Sequence, residues 1–357
     1  MHYINSIIEA IGQTPLLKLN NIGKNIGANI FVKLEYLNPS GSYKDRMALA
    51  MIEGAENGDT WNGKSLKPGG VVIEASAGNT APAIAMVCAS KGYHARLVLY
   101  RYSIHKELDA RMKITGAYGP EVSISSEPDI YISPEELASI SKDCKDLPHV
   151  IAAKIDCARQ EAQEEGSVWL DQIYNKNNYR GQENIGKEIF DQLDGKIDAF
   201  GCSVGSGGTL YGTALGLRDC GVRPEIIFGV VPYGTENYIN LPKDECSRGE
   251  FAYDGIADKI AAGMGLDKWT TEQSIIQEMM ADNLPDKFFR VSDAEALDMA
   301  NRLAREEGIY CGMSSGANVS IALKIAERLG PGKNVVTVIV DRRDRYITDT
   351  PYEKYAV

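Results

Sequence analysis

The sequence predicts an α/β protein built on mainly parallel sheets flanked by helices. Two observations carry this. Short apolar runs of strand length recur along the chain, and helical patterns lie between them. That alternation makes parallel strands joined by helical crossovers, with both sheet faces covered. A third observation, the length of 357 residues, exceeds what one small core usually needs, so two domains or subdomains are expected.

The elements follow in order. Residues 29–35 (NIFVKLE) are short, β-rich and alternating, and 42–57 carry a helical pattern with Met47, Ala48, Ala50, Met51 and Ile52. A buried strand at 71–75 precedes a helix at 79–91, and a strand at 95–100 precedes a helix at 103–115. The run 197–203 reads as a strand leading through a glycine-rich turn into a helix from Thr209. Residues 226–231 and 335–340 are apolar runs of buried-strand length, and 292–307 and 315–329 read as amphipathic helices. Residues 58–70 and 125–149 fit this scheme poorly and read as surface excursions.

Composition narrows the function. Hydrophobic residues make up 44 % and charged residues 24 %, as in an ordinary globular protein. A net charge of −11 without a basic block argues against nucleic acid or a membrane surface as partner. The N-terminus lacks a basic region before its apolar residues, so the expected compartment is the cytoplasm. Seven cysteines include no C-x-x-C pair, and none of His2, His94, His105 and His149 pairs at ligand spacing, so neither a disulfide framework nor a metal site is expected.

Four segments can carry chemistry. In NPSGSYKDRMA (38–48) a loop with Pro39 and Gly41 enters a helix, and Lys44 sits in its first turn. The positive end of a helix dipole disfavours a second positive charge there, which favours a neutral, nucleophilic amine. Taken alone, the segment still reads first as a solvated lysine in a charge run with Asp45 and Arg46. In EASAGNTAPAIAM (74–86) Ser76, Gly78, Asn79 and Thr80 gather at a helix start, which suits a carboxylate but, taken alone, reads first as a helix cap. In CSVGSGGTLYG (202–212) Gly205, Ser206, Gly207, Gly208 and Thr209 follow a buried strand, and a phosphate site is favoured over a plain tight turn. No lysine follows these glycines, and G-x-G-x-x-G is absent, so neither a Walker loop nor a dinucleotide fingerprint is present. In EEGIYCGMSSGANVSIAL (306–323) Ser314 and Ser315 open a helix, as caps or as donors to a ring nitrogen.

Together and in this order, these segments resemble the cysteine synthase and cystathionine β-synthase family of pyridoxal-phosphate enzymes. The resemblance spans nearly the whole chain through IGQTPLLKL (11–19), WLDQIYNKNN (169–178), EIF (188–190), GVVPYG (229–234), KIAAGMG (259–265) and DRRDRYIT (341–348). It implies the two-lobed fold type II architecture, with a smaller mobile lobe over 37–154 and a larger cofactor-binding lobe combining 13–36 with 155–357. It implies pyridoxal 5'-phosphate as cofactor and a homodimer. Lys44 matches the lysine that binds the cofactor covalently and later shuttles the Cα proton. Asn79 matches the residue at the cofactor's phenolic oxygen, Gly205 to Thr209 match the phosphate cup, and Ser314 matches the serine at the pyridine nitrogen. Ser76, Ala77, Gly78, Thr80 and Gln172 match positions around the substrate α-carboxylate.

The implied reaction is β-replacement on an activated L-serine, of the O-acetyl or O-phospho kind, through an aminoacrylate. Sulfide or a thiol then adds to give cysteine or an analogue. The alternatives are a cysteine-consuming lyase that releases sulfide, a dehydratase, and a catalytically silent binding protein. The departures from the family pattern bear on substrate. Ala77 stands where a hydroxyl is usual, Pro82 to Ile84 differ, Tyr43 replaces a smaller residue, and Val340 replaces a proline. Tyr43 reads as a packing residue before it reads as a substrate contact. The segment YRYSIHKELDAR (100–111) is also divergent, and its Arg101, His105 and Lys106 read first as a solvated face. Control through a haem-binding extension or a tandem regulatory domain is not expected.

Overall fold

The computed structural model describes residues 3–60, 62–76, 78–99, 113–124, 162–232 and 274–346. Ala77, the 100–111 segment, 125–149 and the 259–265 motif lie outside the described residues.

Two sheets organise the described chain. The four-stranded sheet has the order β5 (Glu121–Ile124), β4 (His94–Leu99), β3 (Val71–Ala75), β6 (Ser167–Trp169), and every pairing is parallel. The six-stranded sheet runs β1 (Leu16–Lys18), β2 (Asn29–Lys33), β10 (Asn334–Val338), β7 (Ala199–Ser203), β8 (Ile226–Pro232), β9 (Lys287–Val291). Only β1 is antiparallel, in register Leu16 opposite Lys33, and it needs no crossover. The helices are α1 (Lys44–Glu56), α2 (Thr80–Lys91), α3 (Asn177–Leu193), α4 (Gly208–Asp219), α5 (Ile275–Ala281), α6 (Asp293–Glu307) and α7 (Met313–Leu329).

Side-chain alternation explains the near-continuous apolar strands. Val335, Phe228 and Val230 pack with α6 and α7 on one face of the larger sheet. Val336, Val338, Ile227 and Val231 point the other way, into a core shared with α3 and α4. A third core joins α1 and α2 to the four-stranded sheet through Met47, Met51, Ile52, Ile84, Val72 and Val168. Helices α3 and α4 approach almost backbone to backbone. A methyl group on Gly186, Gly212 or Gly216 would fall on the carbonyl of Thr213, Tyr179 or Glu183 respectively.

Most predicted elements appear with ends shifted by one or two residues. The first strand stops at Lys33, and Glu35–Leu37 forms a short 3-10 turn instead. The expected 103–115 helix lies mostly outside the described residues. The sequence reading missed β1, β5, β6, β9, α3 and α5. Strands of three residues are too short to show alternation, and β9 is only half-buried. Helix α3 buries Tyr179, Ile185 and Ile189 on one side together with Asn178, Gln182 and Gly186, so its amphipathic pattern is present in the sequence and blurred periodicity does not account for its omission.

Candidate active site

The loops that open the motif helices lie beyond the carboxyl ends of parallel strands, where α/β sheets place their ligands. Lys44 is the first residue of α1 and is half-buried. The peptide before it is pinned on both sides. Tyr43 N–H donates to the Val340 carbonyl at 3.0 Å, and Gln182 Nε2 donates to the Tyr43 carbonyl at 3.2 Å. The Tyr43 ring packs against the core of α3 and α4, and Lys44 Nζ lies 4.8 Å from its centroid. Lys44 also lies close enough to β7 to act on the Cys202 thiol. Burial pushes that thiol up to about 12, and the Lys44 charge opposes the shift.

Asn79 occupies the N-cap of α2, yet it does not cap the helix. Its Nδ2 donates to Asp341 Oδ2 at 2.6 Å, and its Oδ1 accepts from Arg345 Nη1 at 2.7 Å. Ser76 is buried and its hydroxyl accepts from Gly78 N–H at 3.2 Å. Thr80 Oγ1 donates to Gln172 Oε1 at 2.8 Å, and Gln172 Nε2 donates to the Ala75 carbonyl at 3.2 Å. The structure thus joins Gln172 to the 76–80 loop from nearly a hundred residues away.

The glycine turn is tied to the same group. Asn178, 1 % exposed, donates through Nδ2 to the Gln172 carbonyl at 2.6 Å and to Ser206 Oγ at 3.2 Å. Gly207 adopts φ +84 at the N-cap of α4, a conformation that glycine takes without strain. A methyl on Gly208 would fall on Asn178 Oδ1. Gly205 and Ser206 are half-buried, and Gly207, Gly208 and Thr209 are buried.

Ser314 is half-buried in the second position of α7, whose N-cap is Gly312, so Ser314 does not cap that helix. Ser315 instead accepts from Val340 N–H at 2.9 Å, next to the Val340–Tyr43 contact. Helices α1, α2, α3, α4 and α7 all start without a side-chain cap. By contrast, Ser274 and Ser292 cap α5 and α6 away from these motifs.

A charge network anchors α1. Arg46 Nε and Nη2 each donate to Glu35 at 2.8 Å, and Arg46 also pairs with Glu188 of α3. Lys33 Nζ is fully buried and contacts Glu188 at 2.7 Å and the Thr14 carbonyl at 2.6 Å. Burial acts to raise the Glu188 carboxyl, but Arg46 and Lys33 overcome it and pull the group down to about 2. Burial pushes Lys33 down against the same carboxylate. Asp45 is buried beside Ser40, which donates to it through both its N–H and its hydroxyl. Burial still pushes Asp45 up to about 6.

Asn178, Gln182 and Arg345 escaped the sequence reading as site residues. Asn178 closes the WLDQIYNKNN motif, and that was the one available signal for it. Among the described residues no group of three or more His, Cys, Asp or Glu could hold a metal ion.

The donor set fits a phosphorylated aldehyde. A lysine amine opens one helix, and an uncapped glycine-rich helix start with Ser206 and Thr209 suits a phosphate dianion. The comparisons with known proteins agree. The model of the family described as "Pyridoxal-phosphate dependent enzyme" matches residues 7–341. Cysteine synthase 1 of Emericella nidulans is 34 % identical over 354 residues, covering 96 % of this chain and 84 % of that protein. The structure of an O-ureido-L-serine synthase superposes with a TM-score of 0.75 at 28 % identity, covering 99 % of this chain and 96 % of the other. A hydrogen sulfide-producing enzyme from Fusobacterium nucleatum gives a TM-score of 0.73 at 28 % identity, covering 97 % and 99 %. The chain belongs to the family of pyridoxal-phosphate dependent enzymes that includes the cysteine synthases.

Proposed function

We propose that the enzyme catalyses β-replacement on an activated L-serine, of the O-acetyl or O-phospho kind, with sulfide or a thiol as nucleophile and cysteine or an analogue as product. Pyridoxal phosphate, when bound, supplies the electron sink for charge developing at the substrate Cα. Lys44 would hold the cofactor aldehyde and, as a free amine, would take the Cα proton on Nζ. Gly205, Ser206, Gly207, Gly208 and Thr209 hold the phosphate. Asn79 donates to the phenolic oxygen, and Ser314 faces the ring nitrogen. A serine there cannot protonate the ring as a carboxylic acid would, which favours prompt loss of the β-substituent. Ser76, Ala77, Gly78, Thr80 and Gln172 hold the α-carboxylate. The lobes in this reading are 37–154, which moves, and 13–36 with 155–357; β6 adds a strand to the sheet of the first from beyond its limit. The working unit is a homodimer in the cytoplasm, and sedimentation velocity tests the first part of that statement.

One observation carries the reading. The hydrogen bonds from Ser206 through Asn178 and Gln172 to Thr80 hold the phosphate turn and the carboxylate loop at one separation. An amino acid bound on a phosphorylated cofactor needs both anions held at once.

A second reading rests on the similarity to the sulfide-producing enzyme. It runs the chemistry from L-cysteine and releases sulfide.

The test is the visible absorption spectrum of the protein with pyridoxal phosphate, before and after O-acetyl-L-serine. A band that moves to longer wavelength, followed by cysteine formation on adding sulfide, is the expected result. A band that ignores O-acetyl- and O-phospho-L-serine but responds to L-cysteine with sulfide release selects the second reading. No band at all sinks both.

A further inference from the structure

Arg345 lies in the 3-10 turn Arg343–Tyr346 that follows the last strand of the larger sheet, and it is 3 % exposed. A buried guanidinium is held only where its N–H groups meet acceptors. Two of its acceptors are Asn79 Oδ1, at 2.7 Å, and the Ser40 carbonyl. Ser40 precedes Lys44 by four residues, and Asn79 stands at the start of α2. One buried cation therefore ties together the segments that lead into α1 and α2. The Asp45 carboxyl, next to Lys44 in sequence, accepts from Ser40 on the same connection.

The contacts also dictate which way the Asn79 amide faces. Arg345 can only donate, so it takes the oxygen end of the amide. Asp341 takes the nitrogen end at 2.6 Å, and Tyr346 donates its hydroxyl to the same carboxylate oxygen. A flipped amide would set its NH2 against a guanidinium and its oxygen against a carboxylate. The second hydrogen of Asn79 Nδ2 meets no acceptor among the described residues.

We propose that Arg345 is a positioning residue. It holds the Asn79 amide with its donor end available to the cofactor. The inference rests on the reading that Asn79 meets the phenolic oxygen of pyridoxal phosphate. Arg345 itself touches neither cofactor nor substrate.

The test compares wild type, Arg345→Lys, Asn79→Ala and the double variant, each reconstituted with pyridoxal phosphate. Visible spectra, cofactor dissociation constants and thermal melts are recorded for all four. A lysine keeps the charge but cannot bridge Asn79 and Ser40 with a planar fork. Folded Arg345→Lys is expected to shift the visible band in the same direction as Asn79→Ala and to weaken cofactor retention by about tenfold. The double variant is expected to match Asn79→Ala, because Arg345 acts through Asn79. An unchanged band in folded Arg345→Lys, or shifts that simply add in the double variant, would overturn the proposal and leave Arg345 a structural residue. Arg345→Gln, which keeps one donor without the charge, carries the same comparison where the lysine variant does not fold. A wild-type protein that takes up no pyridoxal phosphate overturns the functional reading and this inference with it, before any variant is made.

Discussion

Arg46 and Glu188 meet through two parallel contacts, Nη1 to Oε1 at 2.7 Å and Nη2 to Oε2 at 2.9 Å. The paired fork joins α1, two residues past Lys44, to the middle of α3. Lys33 contacts the same carboxylate, so Glu188 is the shared anion of two buried cations. Glu188→Ala should therefore leave uncompensated charge in the interior and cost about 3–5 kcal/mol of unfolding free energy. Urea unfolding measures this. Glu188→Gln, which keeps hydrogen bonding without charge, should lose less. A folded-state value near 2, below the ordinary 4.5, also means that the Glu188 contribution is complete at neutral pH, declines as pH falls below about 4.5 and is gone by about 2.

Asp45 should behave in the opposite sense. Its folded value of about 6 lies above the ordinary 3.8, so between these limits the folded state binds more protons than the unfolded state. Stability from this group is thus greatest below pH 3.8 and declines as pH rises through about 6. The total is on the order of 3 kcal/mol. The difference in unfolding free energy between wild type and Asp45→Asn, measured from pH 4 to pH 7, isolates it. The asparagine variant should lack the decline.

Gly208→Ala should damage the phosphate turn with little effect elsewhere. The added methyl meets Asn178 Oδ1, and relieving that contact pushes the first turn of α4 away from Asn178. Strain of about 1–3 kcal/mol is expected, which is about 5- to 150-fold in the dissociation constant for pyridoxal phosphate where the strain falls on the cofactor-bound state. Titrating the apoenzyme with the cofactor and following the visible band gives the number.

Lys44→Ala should abolish turnover and the covalent link to the cofactor, while the fold persists. A lysine cation at a helix N-terminus opposes the dipole, so its removal should leave unfolding free energy within about 1 kcal/mol of wild type. Borohydride treatment followed by peptide mass analysis should find the reduced cofactor on the peptide of Lys44 in wild type and nowhere in the variant. Full activity in Lys44→Ala would remove the proposed mechanism altogether.

Lys44, Asn79 and the Gly205–Thr209 turn each stand where a loop hands over to a helix, so the junctions are legible from a few neighbours, but the roles of Lys44 and Asn79 come from the ordered resemblance and not from either segment alone. The long apolar strands β7, β8 and β10 are likewise legible from a few neighbours. Arg345 is not, because its meaning comes from an amide 266 positions away. Asn178 reads as one more polar residue in a polar helix until Gln172 and Ser206 are seen on either side of it. The tyrosine before the lysine was read as a packing residue, and the Tyr43 ring does pack on the core of α3 and α4. Cap readings for Asn79 and Ser314 do not hold, since neither side chain caps its helix.

The pairing of β2 with β10 has a consequence for how the protein is made. Strand β2 is made well before its inner neighbour, which is the last strand among the described residues. The four-stranded sheet, closed by β6, can assemble while the larger sheet still lacks its central strand. At about 5–20 residues per second, synthesis from β6 to β10 takes on the order of ten seconds. Throughout that interval the facing hydrogen-bonding edges of β2 and β7 have no strand between them. Asp341 and Arg345 follow β10, so Asn79 gains both of these partners only after β10 has been made. A nascent chain stalled before β10 should therefore not retain pyridoxal phosphate.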